Sequence, residues 1–430
     1  MSKSQHFHLL VDESLDRAGI VRVQRAKLAS LLTAVRTSNP FYQRKLHGVT
    51  FDPLRDSLER VPFTTRDELQ RDQIAYPKYG SNLTFPLMNY IRMHATSGSM
   101  GRPMHWLDTA ESWEWCRKGW RMVFVGAGLV PGDRIFFPFS FGPFIGFWMA
   151  FEAGQQLGNF CLSGGGMSTE NRLRMIVEHD ITVVCCTPTY ALRMAEVAQG
   201  EGVDLAASKV RLLIVAGEPG GNIPAVRERI ERAWGARVSD HAGMTETGPW
   251  GFECAQRPGG MHVIDTEFIA EVIDPASGAT VGPDVAGELV ITTLGRTASP
   301  LIRYRTGDRV TMTRDQCACG RWFSWAPGGI AGRVDDMLHI RGNNVFPSAV
   351  EAVLRRFDEV AEFRLSVVVQ SGMNELRIEI EPTAHPGDAN LLRRIDQAVM
   401  ESLHFRPLLE IVGPGTLPRF DMKARRIVRD

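Results

Sequence analysis

Residues 181–246 constrain this chain more than any other stretch. "ITVVCCT" (181–187) carries no charge and no polar alternation, and "VRLLIVAGEPGG" (210–221) is an apolar run that ends in a glycine loop. "ARVSDHAGMTE" (236–246) begins as a third such run, and "YALRMAEVAQ" and "IPAVRERIERAWG" between them read as helices. Strands that are apolar throughout must be covered on both faces, so this alternation predicts a parallel sheet with helices above and below. Ligands of such sheets bind beyond the strand C-termini. The loops bearing Glu218 and Glu246 therefore lie where a site belongs.

The flanking regions have a different character. Residues up to about 90 read as helices and loops, and 267–312 reads as an antiparallel hairpin region. Past Gly332 come a short strand "MLHIRG" and a helix "PSAVEAVLRRF". Val350, Val353, Leu354 and Phe357 share one face of that helix, and Pro347 suits its first turn. Two strands, "FRLSVVVQ" and "ELRIEIE", a helix around "NLLRRIDQAVMESL" and a strand near "LLEIVG" complete a small α+β unit. With 430 residues the chain exceeds one hydrophobic core. The expected fold is α/β: a large N-terminal domain (1–332) with parallel sheets and a β-rich subdomain, and a small mobile α+β domain (333–430).

Lys plus Arg number 49, as do Asp plus Glu, so no overall basic field points to nucleic acid or an anionic membrane. Charges stand where a signal peptide would be apolar, and the seven cysteines are scattered through a long chain. A reducing compartment, the cytoplasm, is expected. Residues 135–151 carry no charge, but Pro138, Gly142, Pro143 and Gly146 interrupt them. That pattern suits a buried wall rather than a membrane span. Phe136, Phe137, Phe139, Phe141, Phe144, Phe147 and Trp148 could line a pocket for an aryl group.

Five short stretches carry candidate chemistry. "ATSGSMGRPM" (95–104) gathers Thr96, Ser97, Gly98, Ser99 and Gly101, whose amides and hydroxyls can nest an anion, although a turn would look similar. No Gly-Lys-Ser/Thr follows, so it is not a Walker A loop. "GMTETG" places Thr245 and Glu246 after a strand, where a carboxylate can hold Mg²⁺ or the two residues can open a helix. "IRYRTGDRV" places Asp308 on a tight turn, suited to two ribose hydroxyls or to a plain hairpin. "PRFDMKARR" puts Lys423 in a flexible basic tail. Cys317 and Cys319, with Cys254 and His262 upstream, can hold a structural Zn²⁺ with no open position, or be four buried residues joined by a turn.

The order of these stretches is informative. With "NPFYQRKL", "VPFTTRDEL", "AGEPGG", "RYRTGD", "GRVDDMLHIRGNNVFPSAVE" and "LPRFDMKARRIV", nearly the whole chain resembles the phenylacetate–CoA ligase branch of the adenylate-forming enzymes. The resemblance implies an AMP-forming ligase that joins an aromatic or arylalkanoic acid to coenzyme A, using ATP and Mg²⁺. It implies that Thr96, Ser97, Gly98, Ser99 and Gly101 cradle the ATP phosphates and that Glu246, beside Thr245, binds Mg²⁺. Asp308 would hold the ribose, and Gly217, Glu218 and Pro219 would line the adenine and acyl pocket. Arg333 would approach the nucleotide, Asp335 would be the hinge, Lys423 would enter the site, and the loop at Gly342 would help form the CoA tunnel. Many relatives carry an aromatic residue on adenine where this chain has Ala242 beside His241, and a lysine where it has Met104. Two other readings stay open: adenylation with a carrier-protein thiol or an amine as acceptor, and a non-catalytic binder of nucleotide or acyl groups. Joint retention of Glu246, Asp308 and Lys423 argues against the second. A homodimer is an assembly open to such a chain.

Overall fold

Alternate residues of the central strands face two separate cores. The computed structural model describes residues 9, 11–96, 103–341, 343–370, 373–383, 389–420 and 423–428. Val183, Cys185, Leu212 and Ile214 face one side, with Trp120 and Phe124 of helix Ala110–Ala127 and Ala153 of helix Trp148–Gln156. Val184, Cys186, Leu213 and Val215 face the other, with Ile176, Met194 and Ile230 from helices Thr169–Glu178, Pro188–Gly200 and Pro224–Trp234. This two-sided burial is why these strands read as uninterrupted apolar runs.

Five strands are mutually parallel, in the order Arg237–Met244, Leu212–Ala216, Val183–Cys186, Arg134–Phe137, Phe160–Ser163. Beyond Arg237–Met244 the sheet continues through three antiparallel strands, Gly248–Cys254, Arg257–Val263 and Trp325–Pro327. This half carries no periodic strand pattern in the sequence. The hairpin region at 267–312 is as expected: Phe268–Ile273, Gly287–Thr293 and Tyr304–Val310 form an antiparallel sheet, closed by Gly332–Arg333. Asp308 consequently lies inside a strand and not on a tight turn.

The C-terminal unit has its own core of Val350, Leu354, Phe363, Ile378, Ile380, Leu391 and Ile395. Its sheet runs Leu408–Ile411, Met373–Pro382, Val360–Gln370, Ile427–Val428. The last described strand pairs in parallel, Leu365 opposite Ile427, so residues 427 and 428 are stitched into the sheet. This unit meets the large domain through Arg232–Asp358 at 3.0 Å, Arg419–Glu196 at 3.5 Å and the Ser348 hydroxyl donating to the Ala331 carbonyl at 2.9 Å.

The uncharged stretch 135–151 is the end of a buried strand, a loop and the start of helix Trp148–Gln156. Phe136, Phe137 and Phe147 are buried, and Phe139, Phe141 and Trp148 are half-buried. The rings of Phe137, Phe139, Phe141, Phe147 and Trp148 pack together, edge to face in Phe139–Phe141 at 5.4 Å and Phe139–Phe147 at 5.7 Å, whereas Phe136 faces the opposite core and Phe144 is exposed. Among the described residues, no helix is long and apolar enough to cross a membrane.

Candidate active site

Strand Arg237–Met244 ends, the chain turns through Thr245 and Glu246, and it returns as Gly248–Cys254. Gly248 has a φ of 81°, the left-handed value this reversal uses. No helix opens here, so the helix-start reading of Thr245 and Glu246 falls away. Arg296 supports the turn from beneath. Its Nη1 donates to the carbonyls of Thr245 at 2.6 Å and Glu246 at 2.9 Å. Its Nε and Nη2 grip Asp108 at 2.8 and 2.6 Å, and neither side chain has any exposed surface. The Glu246 carboxylate is buried, with an Arg66 nitrogen 3.7 Å away. Sequence reasoning missed Arg296, Asp108 and Arg66, because such isolated charges carry no local pattern.

Asp308 and Arg333 face each other across paired strands, with Arg333 Nη1 3.3 Å from Asp308 Oδ1. Burial lifts the Tyr304 phenol well above its usual range, and the neighbouring Glu246 and Asp308 charges lift it further. Tyr304, Glu246 and Asp308 thus share one electrostatic neighbourhood.

The third wall is the glycine loop after strand Leu212–Ala216. Gly217 has a φ of 97°, and a side chain there would meet Lys423 Cε at 3.1 Å. Glu218 Oε1 accepts the Thr189 amide at 2.9 Å, and Oε2 accepts the Ala424 amide at 2.7 Å. Burial raises its pKa. Pro219 follows on the exposed edge of the loop. Lys423 is exposed at the surface of its segment, yet desolvation by the surrounding protein pushes its ammonium below the usual lysine range. Glu218, Glu246 and Asp308 pull it back up, and Arg333 pushes it down. Three residues on, Arg426 is fixed by Glu362 at 2.7 Å and Glu351 at 3.1 Å. Lys423 therefore stands with Glu218, Glu246, Asp308 and Arg333, residues brought together from four separate segments.

His241 is buried, with its Nδ1 2.7 Å from the Gly251 carbonyl and its ring 4.3 Å from Trp120. Burial pushes its pKa down to about 4, so the imidazole is neutral near pH 7. Ala242 is buried opposite Gly251. Thr96 closes the base of the hydroxyl–glycine loop: its amide donates to the Met104 carbonyl at 2.9 Å, and its hydroxyl accepts the Met104 amide at 3.0 Å. Ser97, Gly98, Ser99, Gly101 and Gly342 lie outside the described residues, as does the side chain of Asp335.

Residues 94–297 match the family described as AMP-binding enzyme, and 342–430 match the AMP-binding enzyme C-terminal domain. The chain is 31% identical over 376 residues to the phenylacetate-coenzyme A ligase of Thermus thermophilus, covering 86% of this chain and 83% of that protein. This chain belongs to the phenylacetate–CoA ligase family. It is an AMP-forming acid–CoA ligase. A solved 2-hydroxyisobutyryl-CoA ligase in its postadenylation state superposes with a TM-score of 0.90 at 30% identity, covering 97% of this chain and 91% of that one. The same enzyme in its thioesterification state gives 0.73 at 29% identity, covering 99% and 94%. At near-equal identity, this chain thus superposes better on that enzyme's postadenylation form than on its thioesterification form.

The ligase also gathers Cys254, His262, Cys317 and Cys319, whose donor atoms all lie within 4.8 Å of one another. Cys254 and Cys317 sulfurs are 3.7 Å apart, and Cys319 sulfur is 3.6 Å from His262 Nε2. Tetrahedral zinc with bonds of about 2.3 Å needs sulfur–sulfur edges of about 3.8 Å. The donor set and spacing suit zinc.

Proposed function

We propose that this ligase activates an aromatic or arylalkanoic acid and transfers it to coenzyme A. In the first step a carboxylate oxygen attacks the α-phosphorus of ATP, the bond to the β-phosphate oxygen breaks, and pyrophosphate leaves. In the second the CoA sulfur attacks the acyl carbon, the bond to the AMP oxygen breaks, and the thiol proton passes to solvent. The observation that carries the reading is Lys423 lying beside Gly217 and within electrostatic reach of Glu218, Glu246, Asp308 and Arg333.

In this reading, Lys423 offsets the charge that develops on the α-phosphate, and its lowered pKa leaves a proton it can share. Mg²⁺, when bound at Glu246, would screen the phosphates. Asp308 orients the ribose, Arg333 approaches the nucleotide, and Gly217, Glu218 and Pro219 line the adenine and acyl pocket. Thr96 anchors a phosphate loop that runs through Ser97, Gly98, Ser99 and Gly101. Adenine rests near Ala242, with His241 beneath, and the Gly342 loop serves the CoA tunnel. The rings of 137–148 support an aryl substrate. The domain boundary lies at 332/333, with Asp335 as the hinge. Zn²⁺ held by Cys254, His262, Cys317 and Cys319 is structural, pinning the 317–319 loop to strands Gly248–Cys254 and Arg257–Val263. The protein works in the cytoplasm.

The test is acid-dependent pyrophosphate release from ATP and Mg²⁺ across aryl and alkyl acids, with and without CoA. Release with aryl acids that becomes sustained on adding CoA is expected. Short straight-chain acids outperforming benzoate- and phenylacetate-type acids would overturn the substrate class. A burst that CoA does not relieve would point to another acceptor.

A further inference from the structure

Glu218 joins two parts of the molecule through one carboxylate. Thr189, the second residue of helix Pro188–Gly200, donates its amide to Oε1 at 2.9 Å. Ala424, the residue after Lys423, donates its amide to Oε2 at 2.7 Å. The first donor belongs to the large domain and the second to the segment carrying the lysine. We propose that Glu218 is a positioning residue that latches this segment for adenylation and must release it before transfer to CoA. The proposal rests on the role given to Lys423 above.

Three features of the geometry support it. The residue before the latch, Gly217, forms the wall against which Lys423 Cε would meet any added side chain, so latch and lysine are locked in adjacent register. Both hydrogen bonds use backbone amides, which gives charge-assisted bonds of fixed direction. Thr189 also lies 3.4 Å through its hydroxyl from Arg426 Nη1, and Arg426 is held by Glu362 and Glu351 of the small domain. Glu218 and the helix start therefore meet the lysine segment on either side of Arg425. A bound geometry that slips by about 1 Å can cost roughly 100-fold in rate. A two-ended carboxylate is a means of preventing that slip in one domain arrangement only.

The test separates the half-reactions in Glu218→Ala and Glu218→Gln. Acid-dependent pyrophosphate release should fall roughly 10- to 100-fold in Glu218→Ala, through kcat more than through the KM for ATP. Thioester formation from supplied acyl-adenylate and CoA should fall several-fold less. Glu218→Gln, which keeps one acceptor oxygen, should recover part of the loss. Ala424→Pro deletes the donor, with φ fixed at that residue, and should reproduce the asymmetry. Hydrogen–deuterium exchange of a peptide covering 423–428 should quicken in Glu218→Ala. Equal losses in both half-reactions, a loss confined to the KM for ATP, or unchanged exchange at 423–428 would each overturn the latch. If the wild-type chain releases no pyrophosphate with any acid, the proposed function fails, and the exchange measurement still decides the latch.

Discussion

Arg296 and Asp108 form a bidentate ion pair, 2.6 Å at its closer contact, with no exposed surface on either side chain. The remaining Arg296 nitrogen holds the carbonyls of Thr245 and Glu246. Removing one partner of such a buried pair costs about 3–5 kcal/mol. Arg296→Met should lower the melting temperature and raise the Mg²⁺ concentration needed for half-maximal activity. Asp108→Leu combined with Arg296→Met should recover stability without recovering Mg²⁺ affinity. Calorimetry with Mg²⁺ titration of both variants checks this, and an unchanged Mg²⁺ dependence would make the pair purely structural.

Lys423→Ala should lower acid-dependent pyrophosphate release by at least about 100-fold. Its thioester formation from supplied acyl-adenylate should stay within a few-fold of wild type. The lysine pKa is lowered from the ordinary 10.5, so the active ammonium is lost at a lower pH than for a free lysine. The alkaline limb of adenylation should therefore begin below the usual lysine range. Lys423→Arg should push that limb upward, whatever it does to the maximal rate.

Burial, reinforced by the nearby Glu253 charge, raises the Asp240 pKa from 3.8 to about 7. The folded state then binds a proton that the unfolded chain has already released. Stability from this group is full below the unfolded pKa and declines as pH rises from about 4 to 7, by at most about 1.4 kcal/mol per pH unit. Asp240→Asn should flatten that decline. Denaturant melts of both forms at pH 5 and pH 8 measure it, and equal slopes would show that Asp240 does not titrate in this window.

Protein purified without added zinc should contain about one zinc per chain. Stripping it with a chelator should lower the melting temperature by at least about 4 °C, which is about 2 kcal/mol at roughly 2 °C per kcal/mol. Cys319→Ser should do the same. Metal analysis that finds none would remove zinc from this protein.

The sequence revealed elements with strong periodicity and motifs with fixed order. The runs at 181–187 and 210–216 were legible because burial on both faces leaves no room for polar residues. Glu246, Asp308 and Lys423 stood out because each sits in a distinctive short string, and the fold brings their charges within reach of one another. The antiparallel half of the large sheet was not legible, since "GPWGFEC" and "RPGGMHV" are rich in glycine and proline and lack alternation. Asp308 was misplaced onto a turn because Thr-Gly-Asp has turn chemistry, whereas strand pairing with Gly332–Arg333 overrides that local preference. Arg296 and Asp108 stand 188 positions apart, and no single-chain pattern pairs them.

The final strand sets a limit on reach. Ile427 is hydrogen-bonded alongside Leu365, and Lys423 is four residues before it, a span of about 14 Å at full stretch. Arg426, buried against Glu362, shortens the free leash to three residues. If the small domain swings away, the ammonium cannot stay behind. Under the role proposed for Lys423, departure of the charge and departure of the domain would be one mechanical event, and activation and transfer would exclude each other in time.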